Sequence, residues 1–523
     1  MSDPLLSPMI ADLLSPDRYA ASPDDLELLQ THISWVIIAG QRVYKIKKPV
    51  DFGFIDYSTL EKRHHYCLEE VRLNRRLSRD VYLGVEPIVK REGGFYYGGS
   101  GPVVDYAVVM RKLPEERMMK NLLAAGKLRL DHLRRLAAML AAFYRQAAVV
   151  DDGSFGTLET VSFNIRENFE QTEKYLGKSL DEPDYRRIID FNEQFFRDHE
   201  DLFARRVAAG MIKECHGDLH MEHICFANDH LDIYDCIEFN DRFRIIDVAA
   251  DVAFLAMDLD YHDRYDLSGF FLREFDRCWP DEGGRELLPL YKCYRAYVRG
   301  KVISFLLDDP SLGEEERENA ARRARRYFQL SVLYTYKLPT SIILVSGISG
   351  SGKSHLAGGL AGLSGFSQLR SDQVRKELAG MNATEHRPDD FESGLYKPEM
   401  TRRTYEELAR QADDVLAGGG GVIIDATCLK VWQRQLFYDL AAAQQVPVFV
   451  ISCEAPWEVI EQRLQQRVKD ADNISDADLR IARQQLESRE SPTSKEEKQC
   501  RWFHHDSSTD LLNQLYSLVP RLS

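Results

Sequence analysis

The sequence lacks several features that would assign the protein to a particular class. It has no run of 18 or more apolar residues, so no membrane-spanning helix is predicted. Its first residues, Met-Ser-Asp-Pro-Leu-Leu-Ser, show neither the basic nor the apolar region of a signal peptide. The nine cysteines form no CxxC pair, which argues against a zinc site or a disulfide framework. These absences predict a cytoplasmic protein with reduced thiols and no membrane partner.

Positive charge is also scarce. The 523 residues include 68 Lys and Arg against 83 Asp and Glu, a net charge of −15. A protein that coats nucleic acid normally has a basic surface, so the net charge argues against that role. The length predicts two or three domains, and 44% hydrophobic residues are typical of a globular chain.

One short stretch carries the strongest chemical signal. Residues 347–354 read Gly-Ile-Ser-Gly-Ser-Gly-Lys-Ser, after the apolar run 341–346 and before a predicted helix. A strand, GxxxxGK[ST] and a helix form a phosphate-binding P-loop. We expect its backbone N–H groups and side chains to bind ATP, through Gly347, Ser349, Gly350, Ser351, Gly352, Lys353 and Ser354. Lys353 would reach the β- and γ-phosphates and act in catalysis, and Ser354 would ligate Mg²⁺.

Acidic and basic residues follow the next predicted strands. Asp372 lies three residues after the predicted strand 365–369, with Arg375 one helical turn later. Asp425 ends the apolar run Val-Ile-Ile-Asp, which predicts a buried parallel strand. Ligands of open α/β sheets bind at the carboxyl ends of the strands. Asp372 could therefore accept a proton from a hydroxyl group, and Arg375 could hold the acceptor; alternatively, Asp372 is only a helix N-cap.

Arg463 and Arg467 lie one turn apart on one face of a predicted helix. Such a pair suits a lid that clamps the transferred phosphate, or else an ordinary salt-bridged helix. The order P-loop, SDxxR, IIDAT, RxxxR resembles the P-loop kinases of the polynucleotide-kinase-like group. The resemblance implies an α/β domain with a doubly wound parallel sheet, placed here at 336–523. It also implies that Asp372 is the general base, that Arg375 and Asp425 contact substrate, and that Arg463 and Arg467 engage the phosphates.

The N-terminal part begins with a predicted β-hairpin formed by 32–38 and 42–48. Lys45 and Lys47 share one face of its second strand, where a solvated edge is the ordinary interpretation. A Ser-Thr-Leu-Glu capping box predicts a helix from about residue 58 to 77, which carries Glu69 and Glu70. Farther on, His-Gly-Asp at 216–218 precedes two short strands that would bring Asp218 close to Asp235.

These N-terminal motifs resemble the aminoglycoside phosphotransferases, which share the protein-kinase fold. The resemblance implies an α+β kinase-like domain, placed at 1–335, with Asp218 as catalytic base and Asp235 as metal ligand. Lys45 would hold the ATP phosphates and pair with Glu70; Lys47 and Glu69 remain the alternatives, because a register slip exchanges them. No GxGxxG loop precedes Lys45. His223 stands where the family has a metal-binding Asn, and imidazole suits Mg²⁺ poorly.

The two resemblances together predict an ATP- and Mg²⁺-dependent kinase with two modules. The acceptor would be a hydroxyl group of a small molecule or of a nucleic-acid 5′-end. Because residues 341–523 hold 21 basic and 26 acidic residues, a 5′-end would be read through its last one or two nucleotides. The alternative is a nucleotide-sensing regulator with a degenerate N-terminal domain. The sequence leaves the oligomeric state open.

Overall fold

The computed structural model describes residues 7–19, 23, 25–150, 153–227, 230–381, 397–467 and 479–523. The described residues form two compact units. The first unit comprises those within Met1–Glu170, Glu193–Asp258 and Phe270–Arg295, and the second those within Gln171–Asn192, Leu259–Gly269 and Ala296–Ser523. The domain boundary at residue 335 stays a prediction. Within the described ranges, no helix combines the length and the apolar character needed to span a bilayer.

The strands are β1 (Leu26–Gln30), β2 (Ser34–Ala39), β3 (Arg42–Lys47), β4 (Tyr82–Arg91), β5 (Gly94–Tyr97), β6 (Val103–Arg111), β7 (Ile212–Glu214), β8 (Ile224–Cys225), β9 (Asp232–Ile233), β10 (Ile245–Asp247), β11 (Ile342–Ser346), β12 (Ser367–Arg370), β13 (Val422–Asp425), β14 (Val448–Glu454) and β15 (Arg501–Asp506).

The α-helices of the first 335 residues are α1 (Pro8–Leu13), α2 (Leu60–Asn74), α3 (Met119–Ala124), α4 (Leu130–Gln146), α5 (Leu158–Thr172), α6 (Glu182–Asp198), α7 (Glu200–Ala208), α8 (Asp241–Arg244), α9 (Val248–Tyr261), α10 (Tyr265–Cys278), α11 (Glu282–Ser304) and α12 (Glu314–Leu333). Those that follow are α13 (Lys353–Ser364), α14 (Ser371–Leu378), α15 (Pro398–Ala417), α16 (Val431–Gln444), α17 (Trp457–Arg467), α18 (Leu479–Ser488), α19 (Glu496–Gln499) and α20 (Leu511–Leu522).

The first unit contains an antiparallel six-stranded sheet in the order β1-β2-β3-β6-β4-β5. Alternate residues of β3 point to opposite faces of this sheet. Tyr44 and Ile46 enter an apolar core on one face, and Val43 packs with Cys67 and Val71 of α2 on the other. Lys45 and Lys47 therefore point toward α2, and the interpretation of these lysines as a solvated edge is wrong.

The second unit contains a parallel five-stranded sheet in the order β12-β13-β11-β14-β15. Its central strand, β11, is buried along its whole length. The chain crosses from β11 to β12 and β13 on one side and then returns to β14 and β15 on the other. The order of strands thus reverses at β11, where open α/β sheets form their ligand crevice. The predicted strand, P-loop and helix context is confirmed.

Two edge strands depart from the sequence-based expectation. The first ~30 residues read as helices and turns, yet 26–30 forms β1, because pairing with β2 outweighs the helix preference of Leu and Glu. The strand β15 has the largely polar sequence Arg-Trp-Phe-His-His-Asp and was not predicted, although it pairs in parallel with β14. Helix α2 begins at Leu60, with Thr59 rather than Ser58 as its N-cap.

Candidate functional sites in the two units

Both lysines of β3 meet one buried carboxylate of α2. The Lys45 Nζ lies 3.0 Å from the Glu70 Oε1, and the Lys47 Nζ lies 2.7 Å from the Glu70 Oε2. Glu70 is fully buried, whereas Glu69 pairs with Arg72 at the surface. Burial raises the pKa of the Glu70 carboxyl, but the charges of Lys45 and Lys47 more than offset this, and the pKa falls below its usual value. In the structure, Glu70 rather than Glu69 faces both lysines.

The second partner of each lysine separates their roles. Lys47 is buried, and its ammonium also donates to Glu238 and lies 3.3 Å from the hydroxyl of Tyr57. Lys45 keeps 15% of its side chain exposed and donates to the Asp235 Oδ1 at 2.6 Å. Lys47 is therefore enclosed by protein groups, and Lys45 is the lysine placed beside the predicted metal ligand.

We expect Glu70→Ala to lower the free energy of unfolding of the first unit by about 3 kcal/mol or more, because it leaves two buried ammonium groups short of a carboxylate. Glu69→Ala, one residue away, should cost less than about 1 kcal/mol, since its ion pair with Arg72 is exposed. Urea unfolding followed by tryptophan fluorescence measures both. Equal losses for the two variants would contradict the assignment of Glu70.

A buried carboxylate of α9, that of Asp251, holds the backbone of residues 216–218. The Asp251 side chain accepts hydrogen bonds from the backbone N–H groups of His216 and Gly217, both at 2.9 Å, and from the Tyr144 hydroxyl at 2.9 Å. Asp258, two turns later, accepts from the Met221 N–H at 2.9 Å. Helix α9 thus fixes the backbone on both sides of Asp218.

The predicted base, Asp218, has its carboxylate partly exposed and next to two histidines. Its Oδ2 lies 3.4 Å from the His220 Nε2 and 3.6 Å from the His223 Nδ1. The His223 Nε2 in turn lies 3.5 Å from the Asp235 Oδ2. The antiparallel pair β8 and β9 brings these groups together, as the sequence predicted.

Burial and neighbouring charges shift the pKa values of His223 and Asp235. Burial lowers the pKa of His223 to about 4, and the neighbouring His220 acts in the same direction. Loss of water raises the pKa of the Asp235 carboxyl, but Lys45 outweighs it and leaves the pKa below its usual value. Asp235 also has a φ of +64°, a left-handed conformation that Asp tolerates. At neutral pH His223 is therefore uncharged and Asp235 is ionised.

The donors of this cluster do not fit Mg²⁺ well. Mg²⁺ prefers an octahedron of oxygen atoms, and one of the two predicted ligands, His223, offers nitrogen. The described residues with ligand atoms within 4.8 Å of one another are Asp218, His220 and His223, two of which are imidazoles. The first unit therefore departs from a magnesium site in the chemistry of its ligands.

In the second unit, residues 347–352 form a loop with glycine at the positions where a side chain would collide with neighbouring residues. Gly347 has a φ of +145°, and a Cβ there would lie 2.6 Å from the carbonyl oxygen of Cys453. Gly352 caps α13 with a φ of +91°. The loop is fixed from the sheet side, because the Gly347 N–H donates to the Thr427 carbonyl at 3.2 Å. This glycine-lined cradle at a helix N-terminus fits a chain of phosphates.

The polar side chains at the end of the loop face the end of β13. Asp425 is buried there, and burial raises its pKa despite the opposing charges of Lys353 and Arg370 and a hydrogen bond from Ser354. The Lys353 ammonium donates to the carbonyl of Ile348 at 2.9 Å and so lies against the loop. A hydroxyl and a carboxylate side by side are oxygen donors suited to Mg²⁺, so these residues fit the predicted metal.

The remaining predicted residues lie on neighbouring elements of the same unit. Asp372 lies in the first turn of α14, and the interpretation of Asp372 as the N-cap is wrong, because Arg370 is the N-cap. The Asp372 Oδ1 accepts from the Arg375 Nη1 at 2.9 Å. Arg463 of α17 reaches the P-loop, with its Nη2 donating to the carbonyl of Ser507 at 2.6 Å and its Nη1 3.5 Å from that of Gly350. The side chain of Arg467 falls outside the described residues.

Sequence reasoning missed three positioning residues. Asp251 lies in an apolar stretch without a recognised motif, and Glu238 has no spacing signal at all. Gln485 of α18 accepts from the Ser349 N–H of the P-loop at 2.7 Å. The apolar stretch 248–257, which contains a single carboxylate, could have indicated Asp251, since a buried acid requires hydrogen-bond donors.

Known proteins are similar to this chain in part or over most of its length. A family model described as an AAA domain matches residues 342–492. An uncharacterized protein of Mycobacterium tuberculosis is 32% identical over 460 residues, 87% of this chain and 89% of that protein. A shikimate kinase of Chlorobaculum parvum is 32% identical over 94 residues, 18% of this chain and 49% of that protein. A solved choline/ethanolamine kinase family protein from Mesorhizobium loti covers 60% of this chain and 94% of its own, at 13% identity and a TM-score of 0.36.

Proposed function

Since this chain belongs to the same family as the uncharacterized Mycobacterium tuberculosis protein, we propose that its two units act together as an ATP-dependent phosphotransferase. A match over 460 of 523 residues necessarily includes both the loop at 216–223 and the P-loop at 347–354. The similarity thus extends over the regions of both sites and not over the P-loop region alone. Each unit would transfer the γ-phosphate of ATP to a hydroxyl group.

The observation that carries the proposal is the grouping of chemically matched residues at one edge of the parallel sheet. The P-loop follows β11, Asp425 ends β13 and Asp372 follows β12, so all three lie at carboxyl ends of parallel strands. A nucleotide in the P-loop would place its terminal phosphate at this edge. A carboxylate at this edge, such as Asp372, would suit a hydroxyl acceptor.

Each residue of the second unit would act through position and charge. The loop N–H groups would bind phosphate oxygens, and the Lys353 ammonium would neutralise charge on the transferred group. Ser354 and Asp425 would hold Mg²⁺, which supplies charge neutralisation at the β- and γ-phosphates. Arg463 would add positive charge from α17. Phosphoryl transfer needs little covalent chemistry from the protein, and these residues match that requirement.

Asp372 and Arg375 would form the acceptor side. The Asp372 carboxylate would accept the proton of the attacking hydroxyl. Arg375, which is buried and pairs with that carboxylate, would keep it in position and hold the acceptor. The similarity to a shikimate kinase favours a small hydroxyl-bearing molecule. A nucleic-acid 5′-end, read through one or two nucleotides, is the second candidate.

We expect Asp372→Asn to retain ATP affinity within about twofold and to lose about 10²- to 10⁴-fold in transfer rate, because the carboxylate acts on the acceptor. Asp414→Asn, an exposed carboxylate of α15, is the matched control. Isothermal titration of ATP and steady-state transfer kinetics measure the two effects. A steep fall in ATP affinity with transfer intact would make Asp372 a nucleotide-binding residue instead.

The first unit would provide the second transfer site. Lys45, which pairs with Glu70 and Asp235, would bind ATP phosphates, and Asp218 would orient an acceptor hydroxyl. A competing function is nucleotide sensing, in which this unit binds ATP and transfers nothing. The departure at His223 is the feature that favours this alternative.

Radiolabelled ATP incubated with sugars, nucleosides, aminoglycosides and 5′-hydroxyl oligonucleotides tests the proposal. We expect radiolabel in the products of at least one acceptor class, in an amount above the background of a reaction without acceptor. For an oligonucleotide acceptor, a dinucleotide and a 20-mer should have KM values within about tenfold at two salt concentrations, because no extended basic surface is predicted. ATP hydrolysis with no labelled acceptor would instead indicate an ATPase.

A further inference from the structure

We propose that the first unit takes a first-row transition-metal cation in place of Mg²⁺, held by the His223 Nε2 and the Asp235 Oδ2. The inference rests on the proposed function in one respect, since ATP phosphates and water would complete the coordination. The metal-binding pair itself follows from the hydrogen bonds of three neighbouring histidines: His216, His220 and His223. Only one of their imidazoles presents a bare nitrogen to the site.

His216 and His220 each have their proton on Nε2. The His216 Nε2 lies 2.9 Å from the carbonyl oxygen of Tyr234, which can only accept, while its Nδ1 accepts from the Asp218 N–H at 3.3 Å. The His220 Nδ1 accepts from the Glu222 N–H at 3.3 Å, so its Nε2–H faces the Asp218 Oδ2 at 3.4 Å. These two imidazoles therefore serve as donors within the loop.

His223 has the opposite tautomer. Its Nδ1 lies 2.9 Å from the carbonyl oxygen of Asp218, which can only accept, so the neutral imidazole has its proton on Nδ1 and a lone pair on Nε2. A backbone carbonyl that binds the other ring nitrogen is the usual way in which proteins orient a metal-ligating histidine. The bare Nε2 faces the Asp235 Oδ2 at 3.5 Å.

The pair has the dimensions of two ligands of one ion. Bonds of about 2.0 to 2.2 Å to nitrogen and oxygen place two ligand atoms roughly 3 to 3.5 Å apart. The other oxygen of Asp235 is already held by Lys45 at 2.6 Å, which leaves Oδ2 as the free donor. His220, although geometrically close, is excluded as a ligand because its Nε2 bears a proton directed at Asp218.

The chemistry of this pair selects the metal. One neutral imidazole and one carboxylate favour cations such as Mn²⁺, Co²⁺ or Zn²⁺, whose affinity for nitrogen exceeds that of Mg²⁺. An all-oxygen set would favour Mg²⁺ instead. The histidine at 223 thus changes the metal that the site takes, without removing the site.

Pulsed EPR of Mn²⁺ bound to the full-length protein tests the inference without any activity measurement. The probe is Mn²⁺ alone, on an Asp425→Asn background that removes the carboxylate of the second cation site. We expect hyperfine coupling to an imidazole ¹⁴N, lost in His223→Asn and retained in His65→Asn, an exposed histidine of α2. Co²⁺ affinity should fall about 10- to 100-fold in His223→Asn, with Mg²⁺ affinity unchanged or higher.

Absence of ¹⁴N coupling in the parent protein, or coupling that persists in His223→Asn, would overturn the inference. Asp235→Asn gives a second readout: it should weaken Mn²⁺ binding and keep the residual ¹⁴N coupling of the bound fraction. If Asp235→Asn leaves the Mn²⁺ affinity unchanged, Asp235 is not a ligand and the inference fails. Because these readouts need no acceptor, a protein that binds Mn²⁺ through His223 but transfers no phosphate would disprove the proposed function alone.

Discussion

Lys353→Ala is expected to lower phosphoryl transfer by the second unit by about 10²- to 10³-fold or more. The Lys353 ammonium lies against the P-loop, 2.9 Å from the carbonyl of Ile348. It is the cation that the P-loop motif assigns to the γ-phosphate. Its removal leaves the charge on the transferred group less neutralised, because only Arg463 and Mg²⁺ would then act on it. Loss of an electrostatic contact of this kind affects the transition state more than the ground state.

The matched control is Lys337→Ala, which removes an exposed lysine of the same unit before β11. Transfer rates at saturating ATP, measured with an acceptor assigned to the second unit, compare the two variants. We expect the control to keep its rate within about twofold, as surface substitutions do. A Lys353→Ala protein with the rate of the parent would exclude the P-loop as the transfer site.

Asp251→Ala is expected to have the largest effect in the first unit, on both stability and activity. Asp251 is fully buried and accepts from two backbone N–H groups and the Tyr144 hydroxyl. Each buried donor left without a partner costs about 1 to 3 kcal/mol, so we expect a loss of at least about 3 kcal/mol in the free energy of unfolding. The loop that carries Asp218 would also lose its support, and transfer by this unit should cease.

Asp131→Ala, an exposed carboxylate of α4, is the control for this experiment and should change stability by less than about 1 kcal/mol. Urea unfolding and hydrogen exchange of the amides of His216 and Gly217 give the two measurements. Fast exchange at these amides is expected in Asp251→Ala only. If the amides stay protected, Asp251 does not hold the loop.

How much of the sites was predictable depends on how local their signals are. The P-loop is one continuous segment, and its strand and helix follow from adjacent residues, so residues 347–354 could be placed from sequence. Glu70 and Glu69 could not be separated, because a helix boundary uncertain by one residue exchanges them. Only the packing of α2 on β3 shows which carboxylate is buried.

The histidine cluster shows the other limit. The sequence places His216, His220 and His223 near one another, but not which ring nitrogens bear protons. That information comes from the carbonyls of Tyr234 and Asp218 and the N–H of Glu222, none of which has a residue-type signature. The edge strands β1 and β15 were missed for a related reason, since strand pairing is non-local.

Label transfer by four proteins tests the central claim most directly: the parent, Lys353→Ala, Asp218→Asn and the double variant, each with radiolabelled ATP and the pooled acceptors. If both units are transferases, each single variant should lose one set of labelled products by about 10²-fold or more, and the double variant should lose both. Products of the double variant equal to those of the parent would contradict the account, as would ATP binding by all four proteins with no labelled acceptor in any.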